Sequence, residues 1–257
     1  MNRITQLFEN KKSGILSVYF PAGYPALDDT LRTLDALQAK GIDMVEVGIP
    51  FSDPLADGPV IQQAATQSLR NGMSLCLLFE QLKDMRQTIR IPVILMGYLN
   101  PVMQYGFEAF CRSCAETGVD GVIIPDLPFA DYLADYKDVA QNHDLKIIML
   151  ISPETSDERI RLIDDHTSGF IYMVSSAATT GAQHSFSDTA QDYFRRVRAM
   201  NLKNPRLIGF GISNRETLQM AMENASGAIV GSKFVELLGK NANPEDAVAG
   251  LLKALGG

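Results

Sequence analysis

Three carboxylates lie in one short stretch, EVGIPFSDPLADGP, which runs from Glu46 to Pro59. It begins like a buried strand and ends as a proline-rich loop. An acid beside buried apolar residues is costly unless something pairs with it or uses it. Strand side chains alternate, so Val45, Val47 and Ile49 share one face of DMVEVGI, while Met44, Glu46 and Gly48 share the other. A carboxyl group in an apolar interior resists ionisation. With a raised pKa it can take and give protons near neutral pH. The alternative is a Glu46 satisfied by a buried lysine or tyrosine. Asp53-Pro54 is a turn starter, which suits a backbone-bonding or subunit-surface role better than catalysis. Asp57-Gly58-Pro59 is also turn-like, and spacing alone leaves Asp57 open between a turn and chemistry.

A second group of residues suggests an anion cradle. Gly181 in TTGAQ, Gly209 and Gly211 in GFGIS, and Gly231 in VGSKF fall at late strand ends. Backbone N–H groups there, with a helix opening at Gly231-Ser232, would suit a phosphate. Ordinary turn glycines are the plainer alternative. Other motifs read as structure. Cys111-Arg-Ser-Cys114 lies within a helical pattern and has no second pair or nearby histidine, so neither zinc nor redox chemistry is expected. His143, His166 and His184 show no ligand spacing. Arg195, Arg196 and Arg198 read as a solvated helix face, and Met96, Met149 and Met173 as core filler.

These residues need a scaffold. Eight β-branched runs, GILSVYF, DMVEVGI, IPVILMGY, DGVIIPD, LKIIMLIS, GFIYMVS, RLIGFGI and GAIVGS, alternate with amphipathic stretches. The helices include one ending at a Gly41 stop, one over Phe107 to Thr117 and one through Tyr132 and Val139. Thr155 with Glu158, and Ser213 with Glu216, fit capping boxes. Asn243-Pro244 fits an N-cap and first helical position. Alternation predicts parallel strands with helices outside, and eight units suit one closed (β/α)₈ barrel over residues 1–257, with an extra helix at the N-terminus. An open dinucleotide-binding sheet would want a glycine fingerprint after its first strand, and only PAGYP stands there. In a barrel the active site lies at the C-terminal strand ends, and the common phosphate site follows the seventh and eighth strands. Those positions are GFGIS and VGS.

Composition narrows the function further. A net charge of -7 disfavours nucleic acid as a partner. No run approaches a membrane span, and the opening MNRITQLFENKKSG has no apolar signal core. Three cysteines, Cys76, Cys111 and Cys114, point to a reducing compartment, hence a cytoplasmic protein.

At EVGIPFSDPLADGPVIQ the chain resembles the α subunit of tryptophan synthase, and LMGYLNP, GVDGVIIPDLP, GFIYMVS, GFGIS and IVGS extend the resemblance nearly end to end. The resemblance implies a TIM barrel that cleaves indole glycerol phosphate to indole and glyceraldehyde phosphate. It implies Glu46 as general acid/base and Asp57 as acceptor of the indole N–H. Tyr19, Tyr98 and Tyr172 would line the indole pocket. Thr180 would bond Asp57 from a closing loop, and Gly181, Gly211, Gly231 and Ser232 would bind phosphate. It implies no cofactor on this chain, and a pyridoxal-phosphate β subunit as partner, in an assembly of two α and two β chains, with Asp53 in the loop facing it. Two departures stand out. Ala178 and Thr179 replace the glycine and valine usual before the closing-loop Thr-Gly, and Lys233 stands where a small residue is common. The altered loop keeps open a catalytically weak subunit that mainly activates a β partner. A stand-alone indole-releasing lyase, or another phosphate-binding barrel enzyme, is the other alternative.

Overall fold

The alternation read in the sequence is realised as a closed barrel. The computed structural model describes residues 1–175 and 185–257. Helix α1 (Arg3–Asn10) precedes β1 (Ile15–Pro21), α2 (Asp29–Ala39), β2 (Met44–Gly48), α3 (Pro59–Arg70) and α4 (Leu75–Leu82). Then come β3 (Val93–Met96), α5 (Leu99–Tyr105), α6 (Phe107–Thr117) and β4 (Gly121–Ile123). A short α7 (Phe129–Asp131) passes through a wide π turn into α8 (Lys137–Asn142). The rest is β5 (Lys146–Ile151), α9 (Asp157–His166), β6 (Ile171–Val174), α10 (Asp188–Ala199), β7 (Arg206–Gly209), α11 (Arg215–Asn224), β8 (Gly227–Val230), α12 (Ser232–Lys240) and α13 (Pro244–Ala254). The strands pair in parallel in chain order, and β8 returns to β1. This is the expected (β/α)₈ TIM barrel with its extra N-terminal helix. No helix among the described residues is long and apolar enough to cross a membrane.

Strand alternation splits the core in two. Val45, Val47 and Ile49 pack outward with the helices, while Met44 joins Ile15, Ile94, Ile123, Ile148, Leu207 and Ile229 inside the barrel. Helix α1 stoppers the N-terminal end of that interior with Ile4 and Phe8, whose ring lies 5.9 Å from Phe170. Its entry is tied down by side chains. The Asn2 amide donates to the Asp120 and Asp144 carbonyls at 2.8 Å each. The Asp120 carboxylate accepts from Arg3 at 3.0 Å and from Arg86 at 2.6 Å. Burial pushes the Arg86 guanidinium down to about 10 against the pull of Asp120.

Several local expectations hold and others move. Asn243 caps α13 by accepting from the Asp246 N–H at 2.8 Å, with Pro244 in the first turn. Gly41, at φ +81, stops α2 as expected. Both N-caps lie one residue later than expected, and only α11 keeps a capping box. Ser156, not Thr155, caps α9 by accepting from Arg159 N–H. The Thr155 hydroxyl is used one turn earlier, accepting from Ser152 N–H at 2.9 Å. Asn214, not Ser213, caps α11, and its box partner is Thr217 rather than Glu216. Arg196 is not simply solvated. It donates to the Pro153 and Thr155 carbonyls and pairs with Asp157, pinning the turn after β5. Cys111 and Cys114 are buried free thiols inside α6, and burial pushes both thiols up, Cys111 to about 12.

Candidate active site

Glu46 occupies the middle of β2 and is fully buried on the inward face. Its neighbour in register on β1 is Tyr19, and on β3 it is Ile94. Oε1 accepts a hydrogen bond from the Ser17 hydroxyl at 3.0 Å, whereas Oε2 is buried with no protein partner among the described residues. The expected alternative, a Glu46 paired to a lysine or tyrosine, is not what the geometry shows. Burial pushes the carboxyl up to about 8, and the Ser17 bond only partly offsets this. A carboxylic acid of that pKa is poised to exchange protons near neutrality.

Asp57 approaches the same cleft from the loop between β2 and α3. It stands directly before Gly58, the N-cap of a helix whose first turn holds Pro59, so it lies at the positive end of the α3 dipole. Its Oδ2 accepts from the Tyr98 hydroxyl at 3.0 Å, and that hydroxyl accepts from the Ala56 N–H at 3.0 Å. Tyr98 therefore clamps the loop on both sides of the Ala56–Asp57 peptide. Burial raises the Asp57 pKa, and the Tyr98 bond lowers it in part. The Tyr98 ring borders a smaller adjoining cavity, which shares Tyr19, Asp57 and Met96 with the main cleft. The contribution of Tyr98 to the main cleft thus runs through Asp57.

The cleft, with its open mouth, takes in about 440 Å³. Glu46, Asp57, Tyr19 and Tyr172 line it together with Gly211, Gly231 and Ser232. Two strand glycines make room for the tyrosines. A Cβ at Gly48 would overlap the Tyr19 hydroxyl, and one at Gly209 the Tyr172 hydroxyl. Burial first, then the nearby carboxylates, raises both phenol pKa values. Both tyrosines stay neutral hydrogen-bonding groups at physiological pH.

The β7 and β8 ends bring the glycine-rich loops together. Gly211 has φ +79, where a side chain is strained, and Phe210 before it has φ +66. A non-glycine residue held there signals backbone over-determined by its surroundings. Phe210 is held by its carbonyl, which accepts from the Ser175 hydroxyl at 2.9 Å, and by an edge contact with Tyr172 at 6.1 Å. Opposite, α12 opens at Ser232 with Gly231 as its N-cap. The Gly231 carbonyl takes the Phe234 and Val235 N–H groups, which leaves the N–H groups of Ser232 and Lys233 at the open end of the helix. The Lys233 ammonium lies 3.9 Å from Glu236, one turn along the helix rather than over the cleft.

Thr180 and Gly181, with Ala178, Thr179 and His184, lie outside the described residues. His143 and His166 do not border the cleft. Met96, expected as core filler, is half-buried and lines the cleft, while Met149 and Met173 are buried. The sequence reading missed Ser17, Phe210, Ile212 and Ile229. Ser17 carried a signal: a hydroxyl on the inward face of an otherwise apolar strand. Among the described residues no group of three His, Cys, Asp or Glu side chains could hold a metal ion.

Comparison with known proteins places this geometry in a family. The profile "Tryptophan synthase alpha chain" matches residues 5–255. A tryptophan synthase alpha chain from Parabacteroides distasonis is 71% identical over 255 residues, covering 99% of each chain. The crystal structure of tryptophan synthase subunit alpha from Legionella pneumophila superposes with a TM-score of 0.88 at 36% identity, covering 99% of this chain and 97% of that one. A chain in the crystal structure of the tryptophan synthase complex from Pyrococcus furiosus superposes with a TM-score of 0.84 at 35% identity, covering 95% and 97%.

Proposed function

This chain belongs to the tryptophan synthase alpha chain family, and on that premise we propose that it is a carbon–carbon lyase cleaving indole-3-glycerol phosphate to indole and glyceraldehyde 3-phosphate. The observation that carries the reading is a buried acid, Glu46, with one oxygen that has no protein partner among the described residues, in one cleft with Asp57 and the two glycine-rich strand ends. Glu46 starts protonated and gives its proton to the indole carbon that bears the glycerol chain. The ring becomes a cationic indolenine. Asp57 accepts a hydrogen bond from the ring N–H, and its charge stabilises the cation as it forms. The Glu46 carboxylate then removes the proton of the hydroxyl on the adjoining side-chain carbon. That oxygen forms a carbonyl, the carbon–carbon bond breaks, and its electron pair returns to the ring to restore indole. Glu46 ends protonated, ready for another turn.

Tyr19 and Tyr172 flank the ring, Tyr98 holds Asp57, and backbone N–H groups at Gly211, Gly231 and Ser232 take the phosphate, joined by Gly181, while Thr180 is assigned to bond Asp57. The chain works as one barrel domain in the cytoplasm. It needs no cofactor of its own. Its partner is a β subunit carrying pyridoxal phosphate, which consumes the indole. The loop after β2 suits that contact, because Leu55 is 77% exposed beside Pro54 and Asp53. Indole release from indole-3-glycerol phosphate by the chain, alone and with a β subunit, tests the proposal. Slow release alone and acceleration by the partner are expected. Equal rates would favour a stand-alone lyase, and no release in either state would leave a regulatory subunit.

A further inference from the structure

We propose that Ser17 is the positioning residue of the acid, holding Glu46 Oε1 so that the exchanged proton is carried on Oε2 alone. The inference rests on the lyase reading for its catalytic meaning, but its geometry stands apart from it. Ser17 sits two residues before Tyr19 on the inward face of β1 and is fully buried. Its register neighbours are Met44 on β2 and Ile229 on β8, both apolar. A hydroxyl in such a layer costs free energy unless it is bonded. It reaches one layer up, to Oε1, at 3.0 Å.

An oxygen that already receives an O–H is a poor seat for the acid proton, because two hydrogens would meet there. The neutral acid therefore carries its proton on Oε2, the oxygen without a protein partner among the described residues. On ionisation Oε1 keeps the Ser17 bond, which strengthens as the charge forms. The side chain need not rotate between giving and taking a proton. The other titratable groups facing Glu46 are Tyr19 from β1, Tyr172 from β6 and Asp57 from the β2–α3 loop. Among the described residues neither tyrosine hydroxyl bonds the Glu46 carboxyl, and Asp57 adds like charge, so Ser17 is the one donor that stabilises the carboxylate. Burial alone drives the carboxyl upward, and Ser17 restrains it.

The test is an infrared titration of the Glu46 carboxyl band in the full chain, with Glu46→Gln as the blank. Ser17→Ala should move the midpoint up by about one pH unit or more, as expected for a lost bond to a charged group. Ser17→Cys, similar in size but a weak donor, should move it the same way, and Ser17→Thr should restore it. In the lyase assay the alkaline fall of kcat/KM, where Glu46 loses its proton, should move up in parallel. An unchanged or lowered midpoint in either the Ala or the Cys variant would overturn the assignment. Wild-type chain that releases no indole would remove the lyase reading, while the infrared midpoint would still decide the role of Ser17.

Discussion

Replacing Glu46 with glutamine should cost the enzyme its reaction and stabilise its fold, with a pH dependence set by one buried proton. An ordinary glutamate titrates near 4.5, and Glu46 in the barrel at about 8. Between those values the unfolded chain has lost the proton while the folded chain still holds it. Stability contributed by this group is therefore complete below the unfolded pKa and is lost as pH rises through the folded one. Over a window of about 3.5 pH units, at about 1.4 kcal/mol each, the wild type loses on the order of 5 kcal/mol relative to Glu46→Gln. That is a ceiling, because water drawn in around the ionised carboxylate lowers the cost. The amide keeps the Ser17 bond through its oxygen and puts its NH₂ where Oε2 was. Near pH 4.5 both variants bury one polar group without a partner among the described residues and should be nearly equal. Urea unfolding of the two proteins from pH 5 to pH 9 measures the difference directly. A gap that stays flat within about 0.5 kcal/mol across that range would refute the claim that a neutral acid is buried at Glu46.

Asp57→Asn should lower kcat by at least about a hundredfold while changing KM little, since the charge matters most at the cationic ring; an effect on KM alone would make Asp57 a binding residue. Lys233→Ala should weaken substrate binding by less than about tenfold, because the ammonium is turned toward Glu236. Gly211→Val should be far worse in the same binding measurement, since φ is +79 there and the branched side chain would fill the anion's place. A large loss in the lysine variant would reverse that assignment. Asp120→Ala should destabilise the fold by about 3–5 kcal/mol, as it leaves Arg3 and Arg86 without their shared partner; a loss under about 1 kcal/mol in urea unfolding would show the network to be slack.

The barrel was legible because its signal is periodic. Alternation along DMVEVGI placed Glu46 inward from seven residues, and the same pattern repeats eight times. What stayed hidden depends on register between strands. That Ser17 lies within reach of Glu46 follows from Tyr19 standing opposite Glu46, and no single strand's sequence states it. Tyr98 was assigned to the pocket wall, yet its hydroxyl bonds a loop residue 41 positions away. The caps moved by one residue because Thr155 Oγ1 is already taken by Ser152 N–H, and because Asn214, one residue nearer the helix, takes the Thr217 N–H with its side-chain oxygen. Positive φ at Phe210 had no residue-type signature, since glycine is the usual marker.

Gly48 and Gly209 set the dimensions of the cleft by what they lack. The hydroxyl end of each tyrosine sits against a neighbouring strand only because the backbone there is bare. A single methyl group at either position would lever a phenol ring off the wall and into the space meant for the ligand, with no lining residue altered. The gauge of this active site is thus written on the strands rather than on the walls. A chain under selection for a bulkier or slimmer ring would find its shortest route at these two floor positions, one carbon atom at a time. Changes to Tyr19 or Tyr172 themselves would alter the polarity of the wall along with its width.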